Sequence, residues 1–191
     1  MLRCAITSGS YLIGDAGRWA LSGVDFIQLR EKKINSGELV DLARSILKDI
    51  ASVPNARTQL LINSRPDVAI AAGAAGVHLT SQWEELTPEQ VRAVFAAAGC
   101  AVPVISVSCH TLDEVRRAHD AQVDFILFGP VFEKRVARQL IQDGSGLEAL
   151  AAACRAAAGT QVLALGGVTL VNTAECLAAG AAGIAGIRLF A

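Results

Sequence analysis

Asp25-Phe-Ile-Gln-Leu-Arg-Glu-Lys-Lys33 passes from apolar to charged within a few residues. Val24 to Ile27 is a short, mostly apolar run with β-branched and aromatic side chains, the composition of a buried strand. Gln28, Arg30, Glu31 and Lys32 follow at once. In parallel α/β folds the C-terminal ends of the strands are where ligands bind, so charge collected at such an end points to a site. The same layout recurs downstream: an apolar run, then polar or glycine residues, then a helical pattern.

Working outward, the pattern predicts strands over 3–7, 25–29, 59–62, 76–79, 104–107, 124–128, 161–165 and 183–187. Helical spacing fills the intervals. Leu39, Leu42, Ala43, Ile46 and Leu47 form one apolar stripe that starts near Ser36 and breaks at Pro54-Asn55. Pro88 opens another helix at a favoured early position. Thr111-Leu-Asp-Glu114 resembles a capping box. The segment 133–145 reads as a long polar loop. Eight strands alternating with helices predict an α/β chain folded as a (β/α)8 TIM barrel, one domain over 1–191. A doubly wound open sheet is the runner-up. At 191 residues the barrel is small for a class typically near ~250, and no final helix follows the eighth strand. An apolar strip left bare there would favour a homo-oligomer.

Composition narrows the function classes. A chain 52% hydrophobic with net charge −1 suits a compact soluble domain with a large core. Near-neutral charge without a Lys/Arg run argues against nucleic acid as a partner. No apolar run approaches ~18 residues, which argues against a membrane span. Met1-Leu-Arg-Cys-Ala-Ile-Thr turns polar too soon for a signal peptide. Five scattered cysteines without C-x-x-C spacing read as reduced packing thiols, which fits a cytoplasmic protein.

Side chains alternate along a strand, so Gln28, Arg30 and Lys32 are expected to point one way, placing an amide and two cations around one pocket. That set suits a phosphate or diphosphate. The alternative is a group of salt bridges with Glu31 and its neighbours. Leu165-Gly166-Gly167-Val168 follows the seventh strand, where barrels commonly hold phosphate on backbone N–H groups. Ile187 and Arg188 end the eighth strand beside it. Asn63 and Ser64 end the third strand, and Ser108, Cys109 and His110 the fifth. His78, inside an apolar strand, reads as a hydrogen-bonded core histidine, and His119 as a surface residue. Cys109 and His110 are adjacent on a strand and face opposite ways, against a thiolate pair. The cations of 133–138 could close over an anionic ligand.

Taken together, these residues resemble the thiamine phosphate synthase and thiazole tautomerase family. Gln28-Leu-Arg-Glu-Lys32 is similar to its Q-L-R-E-K signature. Leu61-Ile-Asn63, Ala74-Ala-Gly-Val-His78, Val107-Ser-Cys-His-Thr111, Gly129-Pro-Val-Phe132 and Ala164-Leu-Gly-Gly-Val168 fit in order and spacing over nearly the whole chain. The resemblance implies a barrel that joins an aminopyrimidine diphosphate to a thiazole phosphate, giving thiamine phosphate and pyrophosphate, with Mg²⁺. It implies small-molecule phosphorylated thiamine precursors as partners. It assigns Gln28, Arg30 and Lys32 to the pyrimidine diphosphate, with Asn63 and Ser108 beside them, and Gly166, Gly167, Ile187 and Arg188 to the thiazole phosphate. Arg30, Lys32 and Ser108 carry the catalytic roles.

The chain departs from that pattern where the family holds metal. Ser64 and Trp83 stand where the synthase has its two Mg²⁺-binding Asp residues, so the ligands of the implied cofactor are missing. Glu84 and Glu85 are the nearest carboxylates. The family's Thr-x-Thr-Lys loop is Arg135-Val-Ala-Arg138, the serine of the last phosphate segment is Arg188, and the catalytic His of the tautomerase branch is Pro130. Synthase chemistry is the first expectation. A tautomerase-like isomerase and a non-catalytic binding protein for the same phosphates are the alternatives.

Overall fold

The chain forms strands β1 (Leu2–Ile6), β2 (Phe26–Leu29), β3 (Gln59–Asn63), β4 (Gly76–Leu79), β5 (Val104–Cys109) and β6 (Phe125–Phe128). They are followed by β7 (Lys134–Val136), β8 (Gln139–Gln142), β9 (Gln161–Leu165) and β10 (Gly183–Gly186). The helices are α1 (Asp15–Leu21), α2 (Ser36–Ala51), α3 (Pro66–Ala72), α4 (Pro88–Ala97), α5 (Leu112–Asp120), α6 (Gly146–Ala156) and α7 (Thr173–Ala178). This is a computed structural model, describing residues 1–9, 15–82, 86–136 and 139–190. Its parallel barrel closes in the order β1-β10-β9-β6-β5-β4-β3-β2. Parallel neighbours need a crossover, and the helices supply it.

Both faces of these strands are buried, which is why they read as continuous apolar runs rather than alternating ones. Cys4, Ile6, Leu61, Phe125, Leu127 and Leu163 fill the barrel interior, and the Phe26 and Phe125 rings stack there with centroids 4.5 Å apart. The alternate residues Ile27, Leu29, Leu60, Ile62, Val77 and Ile105 pack outward under the helices. Gly76 allows two strands to approach closely, since a Cβ there would lie 1.8 Å from the Val104 carbonyl oxygen. Three helices start on capping boxes, at Asn35, Thr87 and Thr111, each satisfying two otherwise orphaned N–H groups.

Beyond one-residue shifts at the ends of β1, β3, β6 and β10, three local expectations need correction. β2 begins at Phe26, because Asp25 caps the neighbouring strand: its carboxylate accepts the Arg3 N–H at 2.8 Å. β5 runs on through Ser108 and Cys109, since the ladder continues with Ser108 opposite Leu127 and Cys109 opposite Phe128. The polar loop after β6 contains an antiparallel β7–β8 hairpin, in which Val136 pairs with Gln139 and Arg135 with Leu140. Ala137 and Arg138 lie outside the described residues. The place of a final helix, left open by the sequence, is partly covered: after β10 Phe190 packs against the core, and its carbonyl accepts the Trp19 Nε1–H at 2.9 Å. Among the described residues no helix is long and apolar enough to cross a membrane.

Candidate functional site

One half of the barrel mouth, at the ends of β2 to β5, is built from side chains. The strand alternation that puts Phe26 and Leu61 inside also puts Gln28 and Asn63 inside, one step nearer the mouth. Gln28, 2% exposed, donates from Nε2 to Asn63 Oδ1 at 2.9 Å, and Asn63 donates from Nδ2 to Ser64 Oγ at 3.3 Å. The Gln28 Oε1 is buried with no partner among the described residues, an acceptor left open. His78, 3% exposed, joins Ser106 Oγ through Nδ1 at 2.8 Å and Ser108 Oγ through Nε2 at 2.9 Å. Burial, aided by the Arg30 charge, lowers its pKa to about 3, so the ring is neutral.

Because β2 ends at Leu29, strand alternation places Gln28 but reaches neither half-buried Arg30 just past the strand nor Lys32, which sits exposed in the bend beyond. Among the described residues the Arg30 guanidinium and Lys32 ammonium groups form no hydrogen bond or ion pair. Glu31, the acid between them, pairs with neither. Its two oxygens each lie 3.0 Å from the Gly9 N–H and fix the loop after β1. The salt-bridge alternative for this stretch therefore has no support in the geometry.

The other half of the mouth is built from backbone. Leu165 O and Gly166 O accept from Val131 N–H at 2.8 Å and Phe132 N–H at 3.0 Å, and Gly167 O accepts from Asn172 Nδ2 at 3.1 Å. With these carbonyls tied back, the Gly167 N–H donates to no acceptor among the described residues. Gly166 has φ +89°, and a Cβ there would fall 2.6 Å from Pro130 Cα. The ladder between β9 and β10 ends with Leu165 opposite Ala185, so the Gly166–Gly167 turn and the segment of Ile187 and exposed Arg188 leave neighbouring strand ends. The arrangement offers an N–H and a cation to one anion.

Other polar groups prove structural. Cys109 packs outward in the helix-side core, where burial raises its pKa to about 12, so it is no thiolate at neutral pH. His110 Nδ1 meets the Gly129 carbonyl at 2.5 Å. His119 is half-buried rather than at the surface, with Nδ1 bonded to Thr160 Oγ1 at 2.9 Å. Trp83, Glu84 and Glu85 lie outside the described residues. Next to Ser64 a cleft of about 240 Å³ is lined by Ser64, Pro66, Leu79, Thr80, Gln82 and Leu86, none of them charged. Among the described residues no group of three or more His, Cys, Asp or Glu side chains could hold a metal ion. Mg²⁺ needs carboxylate oxygens near octahedral geometry, and this donor set does not fit it.

Ser106 was not singled out from the sequence, although Val104, Ser106 and Ser108 share one face of β5 by alternation. Thr7, 1% exposed, was also passed over; its Oγ1 accepts the Arg30 N–H at 2.9 Å and fixes the start of the cationic bend.

With this geometry in place, the comparisons with known proteins converge. The thiamine monophosphate synthase family model matches residues 6–190. A putative thiamine-phosphate synthase of Geobacter sulfurreducens is 40% identical over 163 residues, 85% of this chain and 71% of that protein. The thiamine-phosphate synthase of Neisseria gonorrhoeae is 35% identical over 172 residues, 90% of this chain and 79% of that one. The solved thiamine phosphate pyrophosphorylase of Pyrococcus furiosus superposes with TM-score 0.78 at 25% identity, covering 97% of this chain and 85% of that one.

Proposed function

Since the chain belongs to the thiamine monophosphate synthase family, we propose that its barrel mouth binds an aminopyrimidine diphosphate and a thiazole phosphate and joins them. The carbon–oxygen bond between the pyrimidine methylene and the diphosphate breaks, the thiazole nitrogen lone pair forms the new carbon–nitrogen bond, and pyrophosphate leaves. Arg30 and Lys32 take up the charge that develops on the leaving diphosphate. The open Gln28 Oε1 accepts from the pyrimidine, and Asn63 holds the Gln28 amide in place. Neutral His78 orients the Ser108 hydroxyl towards the diphosphate. On the far side of the mouth the Gly167 N–H, the Gly166 turn, Ile187 and Arg188 hold the thiazole phosphate.

The observation that supports this reading best is that, among the described residues, Arg30 and Lys32 have no side-chain partner and stand opposite a glycine turn whose Gly167 N–H has no acceptor. The test is a turnover assay of the purified chain with both precursors, detecting thiamine phosphate and pyrophosphate together. Slow, stoichiometric formation of both products is expected. No product, with neither precursor binding, sinks the proposal. A second reading, a binding protein for these phosphates without turnover, is favoured by Ser64 in place of an acid; binding of both precursors with no product selects it.

A further inference from the structure

We infer that this mouth neutralises its anionic ligand with fixed cations rather than a metal ion, and that the corner between β3 and β4, whose described lining is uncharged, takes no divalent cation. The inference rests on the anion-binding reading of the mouth and goes beyond it by defining how the ligand's charge is balanced.

Three observations carry it. First, the described lining of the cleft at that corner is hydroxyl, amide and apolar groups, and Ser64 ties it to the neighbouring network, with Oγ accepting from Asn63 Nδ2 and N–H donating to the His78 carbonyl. A serine hydroxyl is a weak ligand for a hard dication, and Pro66, Leu79 and Leu86 offer nothing to one. Second, among the described residues the carboxylates Glu31, Asp67 and Glu114 near the ends of these strands are engaged elsewhere; Glu84 and Glu85 lie outside the described residues. Glu31 accepts from the Gly9 N–H, Asp67 pairs with Arg65, and Glu114 accepts from the N–H groups of His110 and Thr111. Third, Arg30 and Lys32 have no acid partner among the described residues, which is what an anion site needs if no metal supplies positive charge. A diphosphate held this way meets a guanidinium fork and an ammonium group, both charged at neutral pH.

A metal-assisted site and a fixed-cation site respond oppositely to Mg²⁺. In the first, Mg²⁺ bridges protein carboxylate and diphosphate, so binding tightens. In the second, Mg²⁺ only complexes diphosphate in solution and competes with the protein. The experiment is calorimetric titration of the unaltered chain with inorganic pyrophosphate, in chelator and again in excess Mg²⁺. Affinity unchanged or weakened by Mg²⁺ is expected. Tightening by Mg²⁺ overturns the inference but leaves the anion site standing. Absence of binding in both conditions overturns the anion site and the inference together. Ser64→Asp sharpens the result. Placing a carboxylate at this corner should weaken pyrophosphate binding in chelator by about tenfold, the equivalent of 1.4 kcal/mol, and Mg²⁺ should then restore it. If Ser64→Asp binds pyrophosphate as the unaltered chain does in both conditions, the corner does not face the anion and the inference fails.

Discussion

The two halves of the barrel mouth do the same kind of work with different parts of the chain. From β2 to β5 the polar atoms belong to side chains: Gln28, Asn63, His78, Ser106 and Ser108 form a layer above an apolar interior. From β6 through β9 to β10 they belong to backbone, where the glycine turn packs against Pro130 and Phe132 and its carbonyls are tied back to Val131, Phe132 and Asn172. The difference teaches where tolerance lies. A side chain that reaches for ligand can be removed with the strand intact, because strand pairing does not depend on it. A glycine whose missing Cβ makes room for a neighbouring backbone cannot be replaced without moving that backbone.

The largest expected effect comes from the backbone half. Gly166→Val asks a β-branched residue to hold φ +89° with its Cβ about 2.6 Å from Pro130 Cα. Strain at such a φ costs roughly 1–3 kcal/mol and overpacking about 1–3 more. Urea unfolding should show a loss of about 2–6 kcal/mol or no folded protein. A variant as stable as the parent would remove the distinction between the halves.

The next effect tests whether His78 belongs to the structure or to the ligand. Its pKa is lowered from 6.5 to about 3 in the folded chain, first by burial and then by Arg30. The unfolded chain therefore binds a proton that the folded chain refuses. The stability tied to this group is complete above pH 6.5 and drains as the pH falls towards 3, by about 1.4 kcal/mol per pH unit. Unfolding midpoints measured across that window should fall steeply for the parent and less steeply for His78→Gln. Parallel profiles would mean that the ring is not the group being titrated.

The halves also differ in how far the sequence revealed them. β4 and β9 were predicted with their observed bounds, because apolar runs flanked by glycine or polar residues leave few other readings. Gln28 followed from alternation, Asn63 from its place at the end of the third strand, and the Gly166–Gly167 turn from its place after the seventh barrel strand. Ser106 was hidden because it sits within the apolar run 104–107 and looked like part of the core. Ser108 was taken for the end of β5, since a polar residue resembles a strand end, yet parallel pairing carried the strand past it. The β7–β8 hairpin was missed because a mostly polar segment gives no clear period-2 signal. Lys32 was placed by an alternation that stops at Leu29, so its approach to the ligand depends on the bend held by Thr7 and Glu31.

Arg30→Ala and Lys32→Ala probe the side-chain half at its charged edge. Each should weaken pyrophosphate binding by roughly 1.5–3 kcal/mol, the range for charge-assisted hydrogen bonds, with melting temperature little changed. Lys32, more exposed and beyond the strand, should fall at the lower end. Loss of stability without loss of affinity in both variants would restore a structural role for these cations.

The smallest expected effect separates two serines that share one histidine. Ser106 is 1% exposed and bonds His78 Nδ1, whereas Ser108 stands half-buried at the mouth on Nε2. Water can take the place of the Ser108 hydroxyl but not readily that of Ser106. Ser106→Ala should therefore cost about 1–3 kcal/mol of stability, the penalty for an unsatisfied buried group, and leave pyrophosphate affinity nearly unchanged. Ser108→Ala should cost less stability and instead weaken pyrophosphate binding by about 0.5–1.5 kcal/mol, the net value of one neutral hydrogen bond. Urea titration and calorimetry on the same two variants read both quantities. If the two variants lose affinity equally, the loss is passing through His78, and Ser108 orients the ring rather than touching the ligand. If Ser108→Ala alone loses affinity, the side-chain half reaches its ligand through the outer hydroxyl, and the inner one belongs to the fold.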